Sequence, residues 1–436
     1  MSDAVETTDL VVVGGGLAGH AAALAAAGLG ADVILLEKLE RFGGSSAMAG
    51  GGLVFAGTGL QRREGVGDSP ERLRAALAEA GRGHSDPALL DAYADTQIEV
   101  HDWLRELGAE FSLTGQPVRR LHTMPSGVLV GLLHRRALDH TSVDYRASSP
   151  VVSLLHAGDD VTGVVVDGRA GRTRITTRCG VVLASGGFSR SRELVGRFAP
   201  HCAQAVAMGG VGNDGDGLVL AMAAGGAPVG MEFVEASFGA SAAAGVEPRL
   251  LYAQSDGAVI VNTRGHRFAD ERGDIKALGR AVVEQPGGLA FQVFDQAVME
   301  MSRRTPKTRD FAAALRDGLL AEAPTLAGLA SRLGVPAGAL AESARGLSQP
   351  PYYGYACKAG LTSTYGGLSV DGLMRVLDTA GSAISGLYAA GELVGGFHGA
   401  GYLIGSALGK AAVFGYLAGR NAVLAPRETA RNAPAF

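Results

Sequence analysis

The first regular pattern along the chain is an apolar run at residues 10–13, which leads into glycines and then into an alanine-rich stretch. A short apolar run bounded by glycine is typical of a buried parallel strand, and a longer alanine-rich stretch is typical of a buried helix. A second apolar run at residues 33–36 ends on Glu37. The pattern therefore predicts a strand, a helix and a second, parallel strand.

The turn after the first predicted strand carries the motif Gly14-x-Gly16-x-x-Gly19. Gly14 permits a tight turn, Gly16 lets a diphosphate approach the backbone at the helix N-terminus, and Gly19 lets the helix pack closely. Glu37, 18 residues after Gly19, would accept hydrogen bonds from an adenosine ribose and repel a 2′-phosphate, which disfavours NADP. These features predict a dinucleotide site, and a glycine-rich turn that binds nothing is the alternative.

Later segments alternate between helical and strand-like patterns. Helices are predicted at residues 70–80, 86–107, 325–333, 337–347 and 407–418, the last with Ser406 as its N-cap. Strands are predicted as a hairpin within residues 150–168 and at residues 181–184 and 384–389. We therefore predict an α/β protein: a Rossmann-like dinucleotide-binding domain at residues 1–234 and 356–436, interrupted by an α+β capping domain at residues 235–355.

A second Gly-x-Gly-x-x-Gly motif lies at Gly210, Gly212 and Gly215, with Glu232 and Glu235 near the distance expected for a ribose-binding acid. The residues before it make a poor buried strand, and the next helix is predicted to start at Asp216, two residues too late for this motif. The sequence favours a glycine loop that packs near the first cofactor over a second nucleotide site.

Composition narrows the class of protein. The chain has 436 residues, 47% of them hydrophobic, 66 glycines and a net charge of −4, which fits a two-domain soluble protein and argues against nucleic-acid or anionic-membrane partners. Its three cysteines are too far apart in sequence for a disulfide framework, a metal site or an iron–sulfur cluster. The N-terminal residues lack a leader pattern, and residues 393–409 are too short and glycine-rich for a membrane span, which favours a cytoplasmic location.

Six segments carry a resemblance that covers nearly the whole chain: VVVGGGLAG, EKLERFGGSSAMAGGG, VVLASGGFSRS, GNDGDGLVLAMAAGGA, NTRGHRFADE and GLYAAGELVGGFHGAGYLIGSALGKAAVFGYLAGR. They resemble the flavoprotein family of fumarate reductase and succinate dehydrogenase subunits, 3-ketosteroid Δ1-dehydrogenase and tricarballylate dehydrogenase. The resemblance implies an extended FAD with its ring between the two domains. The implied FAD contacts are Gly14, Gly16, Ala18, Gly19, Glu37, Lys38, Gly43, Gly44, Ser45, Ser46, Gly51, Gly52, Val152, Ser185, Gly186, Asp216, Gly391, Glu392, Gly405, Ser406, Ala407 and Leu408.

Two features bear on how this FAD would be held. The succinate dehydrogenase subunits carry a histidine that bonds covalently to FAD where this chain has Ser46, so the resemblance implies noncovalent FAD. A helix that starts after Gly405 and Ser406 would point its N-terminal amides at the flavin N1 and O2 region, where negative charge collects on reduction. Such a helix would make the flavin a better hydride acceptor.

The substrate motifs of the fumarate reductases are altered in this chain. Where the fumarate reductases have the motif H-T-M-G-G, this chain has Ser363-Thr364-Tyr365-Gly366-Gly367, which lacks the histidine. Where they have H-G-A-N-R-L-G, residues 398–403 of this chain lack the arginine. Both cationic residues that bind a substrate carboxylate are therefore missing. A dicarboxylate therefore loses its strongest contacts.

Tyr402 lies close to the place where the ketosteroid dehydrogenases carry a tyrosine that hydrogen-bonds the substrate ketone. The resemblance implies a catalytic set of Tyr402, Arg272, Tyr365 and His398, with Tyr252 as a further candidate. Core packing is the alternative for the tyrosines, and an ion pair with Asp270 or Asp274 is the alternative for Arg272.

The sequence as a whole predicts an FAD-dependent dehydrogenase or reductase. It would move a hydride between flavin N5 and a C–C or C=C bond next to the carbonyl of a small molecule, with a separate electron partner such as a quinone, NAD(P)H or a redox protein. A tricarballylate-like carboxylic acid dehydrogenase, an electron-transfer subunit of a larger complex and a plain NAD-binding protein are the alternatives.

Overall fold

The computed structural model describes residues 4–115, 117–125, 127–168, 171–243 and 248–425. Its strands are β1 (Ala4–Val13), β2 (Val33–Leu36), β3 (Gly52–Val54), β4 (Ser112–Thr114), β5 (Leu121–Thr123), β6 (Val143–Arg146), β7 (Val151–Ala157), β8 (Asp160–Gly168), β9 (Gly171–Leu183), β10 (Val206–Ala207), β11 (Pro228–Val229), β12 (Val234–Ser241), β13 (Val259–Asn262), β14 (Leu289–Asp295), β15 (Leu320–Ala323), β16 (Tyr352–Thr364), β17 (Gly367–Leu368), β18 (Arg375–Leu377) and β19 (Ala383–Ala389).

Its α-helices are α1 (Leu17–Ala27), α2 (Gly44–Met48), α3 (Gly59–Arg63), α4 (Pro70–Ala80), α5 (Pro87–Glu106), α6 (Val128–Asp139), α7 (Arg192–Phe198), α8 (Asp216–Ala223), α9 (Ile275–Val283), α10 (Gln296–Glu300), α11 (Phe311–Arg316), α12 (Leu326–Leu333), α13 (Ala337–Ser343) and α14 (Ser406–Leu424). Across the described ranges, no helix is both long and apolar enough to span a membrane.

The chain forms two compact units. The first comprises Met1–Ser191, Gly210–Phe233 and Thr364–Phe436, and the second comprises Arg192–Gly209 and Val234–Ser363. Residues 192–209 and 356–363, which the sequence assigns to the dinucleotide-binding domain, therefore belong to the second unit. The reason is that β16 pairs along its length with β14, β15 and β10, so the whole strand stays with that sheet.

A parallel sheet forms the core of the first unit, with the strand order β19-β9-β1-β2-β6. Residues 10–13 and 33–36 are buried, as expected for strands covered on both faces. The predicted hairpin is confirmed as β7 and β8, which extend the sheet through antiparallel pairing with β9. The predicted βαβ unit is confirmed as β1, α1 and β2.

Helices α1 and α14 pack against each other through glycine. A side chain at Gly415 would overlap the carbonyl oxygen of Ala18, and one at Gly419 would overlap that of Ala22. Since both contacts advance in the same direction along the two helices, α1 and α14 run parallel. Ser406 precedes Gly415 by nine residues and Leu17 precedes Ala18 by one, so α14 begins about 12 Å before α1 along their shared direction, at 1.5 Å per residue.

The second unit is built on a sheet in the order β10-β16-β14-β13, with β12 and β15 also paired to β16. Two buried clusters pack on this sheet, one around Phe238, Phe294 and Tyr355 and the other around Phe291 and Leu329. The unit is thus an α+β body with its own core. Its role as a cap stays a prediction.

Predicted helix bounds agree with the structure where a local cap fixes them. Ser69 accepts a hydrogen bond from the Arg72 amide at the start of α4, and Asp86 accepts one from Ala88 at the start of α5. The predicted helix at 337–347 is shorter and ends at Ser343.

The prediction that Ser406 is the N-cap of the last helix is wrong. Gly405, in the left-handed region, is the N-cap of α14, and the Ser406 hydroxyl donates to the Leu403 carbonyl at 2.6 Å instead. Since the left-handed conformation of Gly405 starts the helix one residue earlier than predicted, Ser406 is already its first helical residue.

The glycine contact between α1 and α14 can be tested by alanine substitution. We expect Gly415→Ala to lower the free energy of unfolding by about 1–3 kcal/mol, because its methyl group must displace the Ala18 backbone. Gly196→Ala is the matched control, since Gly196 lies within α7 and has no atom within 4 Å of the added methyl group. The control should be unchanged or more stable by about 0.5 kcal/mol, as measured by chemical denaturation. Equal effects of the two changes would contradict the packing argument.

Candidate cofactor and active site

The predicted cofactor residues cluster because of strand register. The pairs Val13↔Leu36, Val13↔Leu183 and Leu183↔Ala389 set the carboxyl ends of β1, β2, β9 and β19 side by side. Loops that follow such ends are where open parallel sheets bind ligands. The segments after these ends carry the following predicted residues: Gly14 and Gly16 in the loop after β1, Ala18 and Gly19 in the first turn of α1, Glu37 and Lys38 after β2, Ser185 and Gly186 after β9, and Gly391 and Glu392 after β19.

The loop from β1 to α1 has the geometry of a diphosphate cradle. Gly14 has φ +115°, and any side chain there would overlap the Ala184 carbonyl. A side chain at Gly19 would overlap the Gly14 carbonyl, so Gly19 lets α1 pack on the strand end. An added Cβ at Gly16 would make only ordinary contacts, the nearest with Ser46 Oγ at 3.7 Å. The absence of a side chain at Gly16 lets a ligand approach the backbone at the start of α1.

Three acids and a lysine organise the neighbouring loops. Glu37 is buried, and its carboxylate accepts hydrogen bonds from the amides of Gly15 at 2.9 Å and Leu39 at 2.8 Å. Lys38 forms ion pairs with Asp214 at 2.9 Å and Asp216 at 2.5 Å. Burial opposes the charge of Lys38, but the hydrogen bonds to the two aspartates outweigh it and raise the pKa of the lysine.

The second glycine motif packs on this site as a loop. The Gly210 amide donates to Ser45 Oγ at 2.9 Å, and Gly212 lies against the Lys38 side chain. Helix α8 begins at Asp216, as predicted, and the residues before the motif form only the two-residue strand β10. The structure thus agrees with a glycine loop at the first site rather than a second nucleotide-binding βαβ unit. The side chain of Glu235 lies outside the described residues.

A buried histidine fixes the backbone of the cradle. His20 Nδ1 donates to the Gly16 carbonyl at 2.8 Å, and its Nε2 lies 3.0 Å from His134 Nδ1. Since Nδ1 carries the proton, Nε2 is the acceptor and His134 is the donor. Burial lowers the pKa of His20 to about 4, against the opposing hydrogen bond to Gly16. Neither the glycine motif nor the resemblance pointed to His20.

Two helix N-termini lack a side-chain cap from their own N-cap residue. Among the described residues, Gly16 and Gly405 are the N-caps of α1 and α14, and neither helix has an acid in its first turn. The Leu17 amide at the start of α1 donates to Ser46 Oγ at 3.2 Å. Each helix start carries a positive pole that favours an anion or an electron-rich group. Because the helices are parallel and offset by about 12 Å, the two poles suit two separate groups of one extended ligand.

The β19 end supplies a fixed carboxylate between the two poles. Glu392 Oε1 accepts hydrogen bonds from the Thr364 amide at 2.9 Å and from Asn213 Nδ2 at 3.2 Å. Ser185 Oγ and Tyr145 Oη are buried and have no hydrogen-bond partner among the described residues. Burial, and then the Glu37 charge, raise the pKa of Tyr145 to about 12. Buried hydroxyls without partners are costly and indicate a ligand that supplies the missing partners.

Three predicted catalytic side chains meet beside α14. The rings of Tyr365 and Tyr402 are parallel with centres 6.0 Å apart, and His398 lies 4.9 Å from the Tyr365 ring and 5.5 Å from that of Tyr402. His398 Nδ1 is 3.3 Å from Ser406 Oγ. Because the Ser406 proton goes to the Leu403 carbonyl, Ser406 accepts from His398 Nδ1, which leaves Nε2 as the basic nitrogen.

The other predicted residues are distributed over several elements of the two units. Arg272 is in the second unit, 91% exposed, and pairs with Asp270 at 3.4 Å, which is the ion pair offered by the sequence as its alternative. Tyr252 also lies in the second unit, and Val152 is an exposed residue of β7. Gly51 and Gly52 pack on Met124 and Leu121. The remaining predicted contacts are Gly43, Gly44, Ser45 and Ser46 at α2, Asp216 in α8, and Gly405, Ser406, Ala407 and Leu408 at the start of α14.

Sequence reasoning missed a cation beside the tyrosines. Arg82 follows α4 with φ +52°, a left-handed conformation that costs a residue with a side chain about 1 kcal/mol. Its Nε is 3.8 Å from where a Cβ on Gly401 would stand, next to Tyr402. The Ala400 amide donates to the Gly81 carbonyl at 3.1 Å, which ties the two loops together. The only signal for this cation in the sequence was the position of Arg82 between two glycines.

Comparison with known proteins places the chain among flavoproteins. A family model described as FAD binding domain matches residues 9–408. A fumarate reductase (cytochrome) of Shewanella frigidimarina is 30% identical over 416 residues, which cover 88% of this chain and 71% of the relative.

Solved structures show the same fold. The open conformation of a flavocytochrome c3 fumarate reductase matches with a TM-score of 0.85 and 29% identity over 96% of this chain and 78% of that one. A 3-ketosteroid-Δ4-(5α)-dehydrogenase from Rhodococcus jostii RHA1 in complex with 4-androstene-3,17-dione matches with a TM-score of 0.74 and 25% identity, over 96% of this chain and 97% of that one.

The buried His20 predicts a specific pH dependence. Its folded pKa of about 4 lies below the ordinary 6.5, so between these values the unfolded chain binds a proton that the folded chain refuses. Stability due to His20 is therefore complete above pH 6.5 and is lost as the pH falls, by about 2 kcal/mol at pH 5. Chemical denaturation at pH 7 and pH 5 should show that His20→Asn, which keeps a donor for Gly16, loses less stability than the unaltered protein. An equal loss in both would show that His20 titrates normally.

Proposed function

This chain belongs to the FAD binding domain family, and on that premise we propose that it transfers a hydride between FAD and a C–C or C=C bond next to a carbonyl group. The observation that carries the proposal is the cluster of Tyr365, His398 and Tyr402 at the start of α14. The fumarate reductase and the ketosteroid dehydrogenase reported above are both named for reactions at such bonds.

The residues present fit FAD on features of the structure itself. The backbone at Gly16 and the N-terminus of α1 would hold the diphosphate. Glu37 would hold the adenosine ribose, and Glu392 would hold hydroxyls of the ribityl chain. The unpartnered hydroxyls of Ser185 and Tyr145 support a bound polar ligand there. When bound, FAD supplies the site that accepts or donates the hydride. Since this chain has Ser46 where a histidine would be needed for a covalent link, we propose that FAD is bound noncovalently.

The phenol of Tyr402 would bind the substrate carbonyl. A phenol donates one hydrogen bond, which strengthens as the carbonyl oxygen takes on enolate character when the neighbouring α-carbon loses its proton. Tyr402 is half-buried in the loop that carries His398, and its ring stacks on the buried ring of Tyr365. These surroundings suit recognition of an uncharged oxygen.

His398 is the best placed group to hold the α-proton. Its Nδ1 is committed to Ser406, so its Nε2 can take up a proton when the substrate is desaturated and return it when a C=C bond is reduced. In desaturation, the α-carbon loses this proton and the β-carbon loses the hydride, which forms the C=C bond. Tyr365 stacks on Tyr402 and packs at a tilt against His398, and it would hold both in place.

A carboxylic acid substrate is the second candidate, and Arg82 favours it. The guanidinium of Arg82 lies at the loop that carries Tyr402, where it could bind a carboxylate remote from the reacting carbons. The fumarate reductase among the relatives is named for a carboxylate substrate. Arg82 is exposed, however, whereas Tyr365 and His398 are buried, so the neutral carbonyl remains the first proposal.

We also propose a separate electron partner, because the three cysteines and the described side chains offer no chain of redox groups. The fumarate reductase (cytochrome) relative is named with such a carrier. The role of this chain as an electron-transfer subunit of a larger complex stays open as the alternative, and copurification of an iron–sulfur or haem protein would support it. A cytoplasmic location stays a prediction.

The substrate class can be tested by anaerobic mixing of the purified protein with a panel of compounds while the flavin absorbance is followed. We expect cyclic ketones to bleach the oxidised flavin, or enones to restore the reduced flavin. A response to carboxylic acids alone would overturn the neutral-carbonyl proposal in favour of the second candidate. A response to neither class would contradict both.

The role of Tyr402 can then be measured with the compound that reacts. We expect Tyr402→Phe to lower kcat by about 10²- to 10³-fold, the usual effect of removing one donor to a developing oxyanion. Tyr353→Phe is the matched control, since it removes a hydroxyl that bonds Gln296 in the second unit, and it should keep kcat within about twofold. Wild-type kcat in Tyr402→Phe would remove Tyr402 from the mechanism.

Arg82 separates the two substrate candidates. For a neutral enone, Arg82→Gln should leave KM within about twofold of the unaltered value. For a carboxylate, the same change should raise KM by about tenfold or more, because a charge-assisted hydrogen bond contributes about 1.5–3 kcal/mol. Steady-state kinetics with a matched pair of compounds, an enone and its carboxylated analogue, gives both values. An unchanged KM for the carboxylate would leave Arg82 without a role in binding.

A further inference from the structure

Lys410 is a buried ammonium group to which the proposed reaction gives no role. It is 1% exposed, its Nζ donates to the Val394 carbonyl at 3.0 Å, and it lies 5.9 Å from the centre of the Phe397 ring. Burial lowers the pKa of Lys410 to about 8, against the opposing attraction of the Glu392 charge. One neutral carbonyl and one ring face replace little of the hydration that the ammonium group gives up.

The position of Lys410 relates its charge to the cofactor site. Lys410 is one turn after Ser406 in α14, and side chains in a helix point back toward its N-terminus. The ammonium therefore adds to the positive pole at the start of α14. Its acceptor, Val394, follows Glu392 by two residues, so the ammonium joins α14 to the loop that carries this carboxylate, and both are proposed to hold FAD.

We propose that Lys410 is an electrostatic positioning residue that favours reduced FAD over oxidised FAD. Uptake of a hydride adds two electrons and one proton to the cofactor, so its charge becomes more negative by one. A buried positive charge near the ring stabilises that state more than the oxidised state, and low solvent exposure keeps the interaction from being screened. The inference rests on the bound FAD of the proposed function and on no particular substrate.

A purely structural role for Lys410 makes a different prediction. If the lysine only anchored the loop at Val394, its loss would weaken the binding of oxidised and reduced FAD equally, and the reduction potential would not move. Two variants separate charge from hydrogen bonding. Lys410→Gln keeps a donor for Val394 and removes the charge, whereas Lys410→Arg keeps the charge.

The test is the flavin midpoint potential of the holoprotein at pH 7, measured spectroscopically against a redox dye. We expect Lys410→Gln to lower the equilibrium constant for reduction at least tenfold, which is about 30 mV for a two-electron couple, and Lys410→Arg to stay within about threefold. Lys307→Gln is the matched control, since it removes a solvent-exposed cation from the second unit, and its potential should be unchanged.

Two results would overturn the proposal. One is an unaltered potential in Lys410→Gln, and the other is an equal fall in Lys410→Gln and Lys410→Arg. If Lys410→Gln releases FAD, the dissociation constants of oxidised and reduced FAD from this variant give the same ratio. Because a dye replaces the substrate, failure of the carbonyl proposal would leave this measurement unaffected.

Discussion

The close parallel packing of α14 on α1 is the constraint on which the rest of the site depends. Side chains at positions 415 and 419 would overlap the Ala18 and Ala22 carbonyls. Because both positions are glycine, the backbones of the two helices are in direct contact. The contact joins the carboxyl-terminal part of the chain to the first βαβ unit. It also offsets the two helix N-termini by about 12 Å along their shared direction. An extended dinucleotide can then place its diphosphate at one pole and its ring near the other.

Electrostatics give the two poles different tasks. The pole at Gly16 meets a cradle braced by His20, which is suited to a permanently charged diphosphate. In our proposal, the buried charge of Lys410 reinforces the pole at Gly405, and Tyr402 and His398 act beside it. Negative charge at that end would then arise only during reaction, both on the cofactor and on a substrate carbonyl. The proposed roles thus assign binding to the first pole and chemistry to the second.

Local sequence signals predicted the cofactor end well and the reactive end less completely. The turn at Gly14, the start of α1 and the acid Glu37 all follow from residues that are neighbours in one βαβ unit. The N-cap of α14 could not be placed correctly, because Gly405 adopts its left-handed conformation where it packs on β3 and Leu121. Arg82 and Lys410 reach the site through tertiary contacts with residues 401 and 394, for which no sequence spacing gives a signal. The predicted domain boundary near residue 356 differs from the unit boundary in the structure for a similar reason, because β16 continues to Thr364.

The most direct test of the account is the amount and state of flavin in the purified protein. Acid precipitation, followed by separation of the supernatant and measurement of its absorbance and fluorescence, gives both the stoichiometry and the mode of attachment. We predict a yellow protein that releases about one FAD per chain into the supernatant. A colourless protein that takes up no FAD, or flavin that stays with the precipitate, would contradict the account.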